Sequence, residues 1–222
     1  MIRVRVATAN LHGLREGIEG AAEIFRSEGI DLAIVQESGP RGRLRTLAER
    51  AGMHAVPDPP ALLRRRVQNA ILVRRPWEVA SVEHHRFDGA DRWHPRGAVV
   101  ASLLQGDLTL TAISTHLGVS GAERVRHARA LARLIRARYP FVLGGDLNAE
   151  ADSATVRCLS EIANDVGALA GATFPAGEPL ARIDYLFVSP GIGIFDTGVR
   201  GGSEVSDHLM VVAGLDLGGA GT

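Results

Sequence analysis

The sequence predicts an α/β chain rich in strands that pair mostly antiparallel. Three observations carry this. Short apolar runs of strand length recur along the whole chain. Four of them, Val67 to Val73, Trp77 to Val82, Gly97 to Leu104 and Leu108 to Thr115, follow one another with no helical pattern between. Serial strands of this kind favour antiparallel neighbours over strand–helix–strand crossovers. At 222 residues and 45% hydrophobic content, the chain is long enough to bury a substantial core. The expected organisation is one domain over residues 1–217 with a flexible tail at 218–222.

The elements follow in order. Ile2, Val4 and Val6 alternate with Arg3 and Arg5, a period-two strand that ends at Asn10. Residues 16–28 carry Ile18, Ala21, Ala22 and Phe25 at helical spacing, with Gly29 as the expected C-terminal cap. Ile30 to Val35 reads as a strand delivering Gln36 and Glu37. A short helix over 42–51 places Leu44, Leu47, Ala48 and Ala51 on one face, with Gly52 after it. The clearest helix spans 120–138, where Ser120 and Glu123 form a capping box and Val125, Ala128, Leu131, Ala132 and Ile135 line one face. Phe141-Val142-Leu143 is a buried strand leading into Gly144-Gly145-Asp146-Leu147-Asn148, the stretch around which the other candidates gather. A short helix near 153–163 follows. Strands at 183–188, 192–199 and 209–215 close the chain.

Composition excludes several chemistries. The 25 basic and 25 acidic residues balance, so no global field draws the chain to nucleic acid or acidic lipid. Every basic residue is arginine, which removes Schiff-base and P-loop lysine chemistry. Cys158 is the single cysteine, so neither an intrachain disulfide nor a thiolate zinc cluster can form. No apolar run reaches 18 residues, and none precedes the strand that starts at Ile2, so a cytoplasmic protein without a membrane span is expected. The basic run Arg64-Arg65-Arg66 reads first as a solvated loop and second as a rim for a phosphate-bearing substrate.

Acids, amides and imidazoles sit at successive strand ends: Asn10, Glu37, His116, Asp146, Asn148, Asp184, Asp207 and His208. Carboxylates gathered at one point repel unless a cation or a proton compensates. Oxygen ligands without cysteine select a hard divalent ion, Mg²⁺ or Mn²⁺. Such an ion keeps waters for a phosphate substrate, which points to metal-assisted phosphoester hydrolysis.

In order, the motifs are Asn10, Gln36-Glu37, Asn69-Ala70-Ile71-Leu72, Arg96-Gly97-Ala98, Thr115-His116, Gly145-Asp146-Leu147-Asn148, Arg182-Ile183-Asp184-Tyr185 and Ser206-Asp207-His208. They resemble the endonuclease/exonuclease/phosphatase superfamily over nearly the whole chain. The resemblance implies a four-layer α/β sandwich, two β-sheets face to face with helices outside. It implies metal binding by Glu37, Asn10 and Asp207, and a water-directing role for Asp146. Asn148 would contact phosphoryl oxygens, and His208 would be the catalytic histidine paired with Asp184. His116 would stand near the scissile phosphate, with Asn69 and Arg96 at phosphate-facing positions. The pattern departs from many relatives at Gln68, where glycine is common, at His94, where an acid is common, and at His12, where some nucleases carry an acid.

The expected activity is a divalent-metal-dependent phosphoesterase acting on a small phosphorylated metabolite or lipid headgroup. A nuclease is the alternative, and a binding module without catalysis is a third reading. Aromatic content of 5% and the balanced charge give little support to a nucleic-acid groove. No obligate protein partner is readable. His54, His84, His85, His127 and Cys158 have no motif around them and are expected to be structural or surface residues.

Overall fold

In the computed structural model, which describes residues 2–59, 66–89 and 93–218, the strands assemble into two six-stranded sheets. The first half of the chain contributes β1 (Arg3–Asn10), α1 (Ile18–Ser27), β2 (Leu32–Gln36), α2 (Arg41–Ala51), β3 (His54–Pro57) and β4 (Ala70–Val73). Then come β5 (Glu78–Arg86), β6 (Gly97–Gln105), β7 (Leu108–His116), α3 (Gly121–Ile135) and β8 (Phe141–Asp146). The chain continues with α4 (Ala154–Ser160), β9 (Asn164–Asp165), β10 (Asp184–Val188), β11 (Gly193–Arg200) and β12 (Met210–Asp216). A single 3-10 turn, His12–Leu14, follows β1. The first sheet has the order β11-β12-β1-β2-β4-β3 and the second β5-β6-β7-β8-β10-β9. Only β1–β2 and β7–β8 pair in parallel, so the predicted predominance of antiparallel pairing holds.

Three apolar clusters define four layers. Val4, Val6, Leu32, Ile34 and Ile71 of the first sheet meet Val99, Leu103, Leu110, Val142 and Leu186 of the second between the sheets. Phe25 of α1 and Leu44 and Leu47 of α2 cover the outer face of the first sheet. Leu131 and Ile135 of α3 and Val156 and Leu159 of α4 cover the outer face of the second. Because side chains alternate across a strand, neighbouring residues serve different layers. Val6 faces the sheet interface and Ala7 the helices. Each fully buried aliphatic or aromatic side chain contributes on the order of 1.5–3 kcal/mol.

The helix signals read from sequence act as expected. The Ser120 side chain accepts a hydrogen bond from the Glu123 amide, and the Ser153 side chain does the same for Val156. Gly29 and Gly52 take the left-handed conformation just past α1 and at the end of α2. Gly144 and Gly145 belong to β8 itself and do not form a turn beyond it. Their role is close approach. A Cβ at Gly144 would lie 2.8 Å from Ile34 Cγ2 and 2.9 Å from Thr8 Cβ, both on the facing sheet.

Some boundaries move. The strand expected from Val67 begins only at Ala70, since Gln68 takes a left-handed backbone (φ 61°) that breaks extension. The short strands β3 and β9 were not apparent in the sequence, being too brief to show a period. Of the basic run, Arg66 is spent inside the fold. It pairs with Asp58, itself almost fully buried, and donates to the Gly39 carbonyl at 3.0 Å. Arg64 and Arg65 lie outside the described residues, as does the tail beyond residue 218. Cys158 packs partly buried against the second sheet's outer cluster. Among the described residues, no helix is long and apolar enough to cross a membrane.

Candidate active site

Sheet topology brings the motif residues to one end of the sandwich. In the first sheet β1 and β2 run in parallel and finish side by side at Asn10 and Gln36. The antiparallel strands β4 and β12 begin at that same end, just after Asn69 and His208. In the second sheet β7 and β8 finish side by side at His116 and Asp146, where β6 and β10 begin with Gly97 and Asp184. A side-chain hydrogen bond from Asn10 Nδ2 to Asp146 Oδ2, 2.9 Å, joins the two ends across the sheet interface. Gln36 adds to this join. Its Nε2 donates to Ser114 Oγ at 3.3 Å, and Ser114 Oγ donates to the Val35 carbonyl at 2.7 Å.

Asp146 is the hub. Its Oδ1 accepts the Asn148 backbone N–H at 2.9 Å, and its Oδ2 lies 3.3 Å from His116 Nε2 and 3.9 Å from His208 Nε2. Burial alone would favour the neutral acid. His116, then His208 and the Asn148 amide outweigh it and hold the Asp146 carboxyl well below the usual carboxylate range.

His208 Nδ1 donates to Asp184 Oδ2 at 2.9 Å. Its backbone N–H is 3.3 Å from Ser206 Oγ, and Phe174 packs against the ring at 4.7 Å between centroids. Burial opposes the imidazolium, yet the Asp184 hydrogen bond and the charges of Asp184, Asp146 and Asp207 raise His208 to about 9. Asp184 goes the opposite way from an ordinary ion-paired acid. Full burial, with the Asp146 charge adding to it, pushes its carboxyl up to about 6 against the His208 hydrogen bond. The asymmetry has a cause: Asp184 is 0% exposed with Oδ1 lacking a partner among the described residues, whereas His208 reaches the open edge at 7%. Between those two values the pair is a carboxylate and an imidazolium.

Glu37, Asn148, His12 and Gln68 all adopt left-handed backbone at this end, a conformation non-glycine residues take at a cost of about 1–3 kcal/mol. Glu37 is half-buried, and its backbone carbonyl accepts from Gly13 N–H at 2.9 Å. Among the described residues, no hydrogen bond or ion pair engages its carboxylate. Asp207 is half-exposed, 3.7 Å from His12 Nδ1, and His12 Nδ1 itself lies 2.7 Å from Glu16. Asn10 Oδ1 accepts the His12 N–H at 3.1 Å. Asn69 is fully buried, and its Nδ2 donates to the carbonyls of Gly97 and Ser114, at 2.9 and 3.3 Å. Arg96 is half-buried, with Nη1 3.0 Å from His116 Nδ1, in the field of Asp146, Glu37 and Glu123. Asn148 Nδ2 donates to the Leu117 carbonyl at 3.1 Å.

Two donor sets fit a cation differently. Ligand atoms of Asp146, Asp184 and His208 lie within 4.8 Å of one another, close enough to share an ion. In that set Asp184 Oδ2 and His208 Nδ1 are hydrogen-bonded to each other. Glu37 offers a second source of oxygens: its carboxylate is unengaged among the described residues, and a hard divalent ion takes oxygen ligands of this kind.

Thr173 and Phe174 are site residues with no mark in the sequence. Thr173 Oγ1 accepts from the Ile183 and Asp184 N–H groups at 3.2 and 3.3 Å, holding the start of β10. Both stand in a Gly-, Ala- and Pro-rich stretch with no periodicity. Ser206, noted only as part of a motif, donates its hydroxyl to the Asn10 carbonyl at 2.7 Å and so ties the His208 turn to the end of β1.

Comparison with known proteins agrees with this arrangement. The structure is similar to an endonuclease/exonuclease/phosphatase from Bacteroides vulgatus, with TM-score 0.80 and 17% identity over 97% of this chain and 99% of that one. It is also similar to a mannosyl-6-phosphatase from Bacteroides thetaiotaomicron, with TM-score 0.76 and 18% identity over 96% and 99%. D. rerio TDP2 complexed with a single-strand DNA product gives TM-score 0.80 and 16% identity over 97% and 100%. No curated protein matches the sequence. The model of the Endonuclease/Exonuclease/phosphatase family matches residues 7–208, from within β1 to the histidine of the buried pair. With two packed sheets and the motif residues gathered at one end, the chain belongs to the endonuclease/exonuclease/phosphatase family.

Proposed function

We propose that this protein is a divalent-metal-dependent phosphoesterase that hydrolyses a phosphate ester by in-line attack of water. The observation that carries the reading is the buried Asp184–His208 pair facing Asp146 across 3.9 Å at the open end of both sheets. Glu37, with Asn10 and Asp207, would hold Mg²⁺, or Mn²⁺ in its place. When bound, that ion supplies charge neutralisation for the phosphoryl oxygens.

The chain's own residues divide the remaining work. Asp146, kept ionised, accepts a hydrogen bond from the attacking water and aligns it behind phosphorus. Its depressed pKa makes it a director of the water more than a strong proton acceptor. His208 presents a charged Nε2–H to the oxygens that gain negative charge, while Asp184 fixes its orientation through Nδ1. Asn148, anchored through its backbone to Asp146, adds a neutral amide. Asn69 holds the backbone of β6 and β7 in register beneath the site.

The substrate we favour is a small phosphorylated metabolite or a lipid headgroup, in keeping with the balanced charge. The likeness to a mannosyl-6-phosphatase supports this choice. A nuclease is the second reading, motivated by Trp93, 52% exposed and three residues from Arg96, and by the likeness to a DNA-bound TDP2. Hydrolysis of bis(p-nitrophenyl) phosphate with Mg²⁺ or Mn²⁺ tests the reaction. Activity that survives both EDTA and Asp146→Ala or His208→Ala refutes it. Turnover of sugar phosphates and inositol phosphates, against plasmid and single-stranded DNA, separates the two substrate readings.

A further inference from the structure

We infer that Arg96 is a positioning residue that fixes the ring tautomer of His116, so that this imidazole presents Nε2–H to the site. The inference deepens the phosphoesterase reading and rests on it for the placement of His116 beside the reacting phosphoryl group. The hold of Arg96 on the ring stands on geometry alone.

Arg96 Nη1 lies 3.0 Å from His116 Nδ1, and a guanidinium has five N–H donors and no acceptor. Nδ1 must therefore offer its lone pair, because a proton there would set two donors against each other. In the neutral ring the hydrogen then sits on Nε2. Two groups face that nitrogen: Asp146 Oδ2 at 3.3 Å and Asn148 Nδ2 at 3.2 Å. They demand opposite tautomers. With hydrogen on Nε2, that N–H faces the Asp146 carboxylate charge, and the Asn148 amide gives up Nε2 and keeps the Leu117 carbonyl as its acceptor at 3.1 Å. With hydrogen on Nδ1, Nε2 would accept from Asn148 and turn a lone pair toward a carboxylate. Arg96 decides between these networks.

The hold is rigid. The Arg96 carbonyl accepts from Phe87 N–H at 2.9 Å, and a Cβ at the next residue, Gly97, would fall 2.1 Å from the His85 carbonyl oxygen. Burial lowers the Arg96 guanidinium from its ordinary value against the charges of Asp146, Glu37 and Glu123, and an arginine remains a charged donor there. The two imidazoles around Asp146 are thus backed by opposite chemistry. His208 Nδ1 meets an acceptor, Asp184, at 2.9 Å, and His116 Nδ1 meets a donor. One ring is backed by an acceptor and the other by a donor that leaves its Nδ1 as the accepting nitrogen.

Long-range ¹H–¹⁵N correlation spectra of the full-length, EDTA-treated protein labelled at histidine nitrogens read the tautomer directly, with His116→Gln identifying the signal. The expected pattern is a pyridine-like Nδ1 and a pyrrole-like Nε2 for His116. Arg96→Met is expected to lose that pattern and to lower kcat on bis(p-nitrophenyl) phosphate by about 10- to 100-fold with KM little changed. Arg96→Lys, which keeps a donor, is expected to retain the tautomer and recover most of kcat. A wild-type ring protonated at Nδ1 overturns the inference, and no variant is needed to see it. So does Arg96→Met with the tautomer intact and only KM raised, the mark of a direct substrate contact. A protein with the expected tautomer but no phosphoesterase activity would instead count against the proposed reaction.

Discussion

His208 Nδ1 sits 2.9 Å from Asp184 Oδ2, and the two residues reach this contact from the starts of strands in different sheets rather than from one helix or loop. Asp184 opens β10 in the second sheet, and His208 precedes β12 in the first. The pair is therefore a cross-link between layers as well as a candidate proton-bearing group. Its buried position makes the protonation state of the imidazole a property of the fold.

That coupling gives a pH dependence of stability. His208 titrates at about 9 in the folded chain against an ordinary value of 6.5. The folded state thus holds a proton that the unfolded state releases between those values. Its contribution is fully present below about pH 6.5 and is lost as pH rises through 9. Urea midpoints in EDTA are expected to fall across that window for the wild type and to stay flat for His208→Gln. A flat wild-type profile would show that the pair is not charged.

Removing the hub charge should act on both neighbours. Asp146→Asn is expected to lower kcat by about 100- to 10,000-fold, the range for losing a group that handles the attacking water. The same change removes one of the charges that raise His208, so the imidazole should titrate at lower pH. Histidine NMR titration of the metal-free variant checks this. An unchanged His208 titration would mean that Asp146 is too well screened to act as proposed.

Much of the fold was legible because its signals are local. The Ser120 cap, the glycines after α1 and α2, and the alternation in β1 each show within a few residues of sequence. The site was legible as polar residues at strand ends, since hydrogen bonding stops there and side chains reach the open edge. What joins them was not. Asn10 meets Asp146 across 136 positions and Ser206 meets Asn10 across 196, with no local trace in either segment. Asn69 illustrates another limit. An amide before a strand reads the same whether it faces a ligand or, as here, holds two carbonyls in the interior. His127 carried no motif, and it proves buried against Phe87, its Nε2 4.0 Å from Glu123 and neither ring nitrogen hydrogen-bonded among the described residues.

The left-handed backbone at Glu37 predicts a trade between stability and metal affinity. Glu37→Gly relieves the conformation that a side chain resists, and Glu37→Gln preserves it while removing the charge. In EDTA, Glu37→Gly is expected to match or exceed the wild type in stability, whereas both variants should need more Mg²⁺ or Mn²⁺ for turnover. Saturating metal should stabilise the wild type by about 2.7 kcal/mol at one hundred times its dissociation constant. The same metal should shift the melting temperature of either variant less. An equal shift in all three proteins would place the ion elsewhere.

The glycines of β8 predict a packing limit directly under the site. At Gly144 an added methyl would meet Ile34 and Thr8, β-branched side chains buried between the sheets with little freedom to turn. At Gly145 it would meet the Thr115 carbonyl oxygen at 2.6 Å, on the neighbouring strand that carries His116. Gly144→Ala should therefore push the two sheets apart and cost about 1–3 kcal/mol, read as a lower urea midpoint. Because the Asn10–Asp146 hydrogen bond spans that same gap, kcat should fall with it while the far end of the sandwich keeps its amide protection in hydrogen exchange. Gly29→Ala serves as the control. Unlike Gly144 it is a left-handed glycine, with nothing within 4 Å of the new methyl, so it should lose stability from backbone strain alone and leave kcat unchanged. Equal losses of kcat in the two variants would mean that the approach of the sheets at Gly144 does not set the geometry of Asp146.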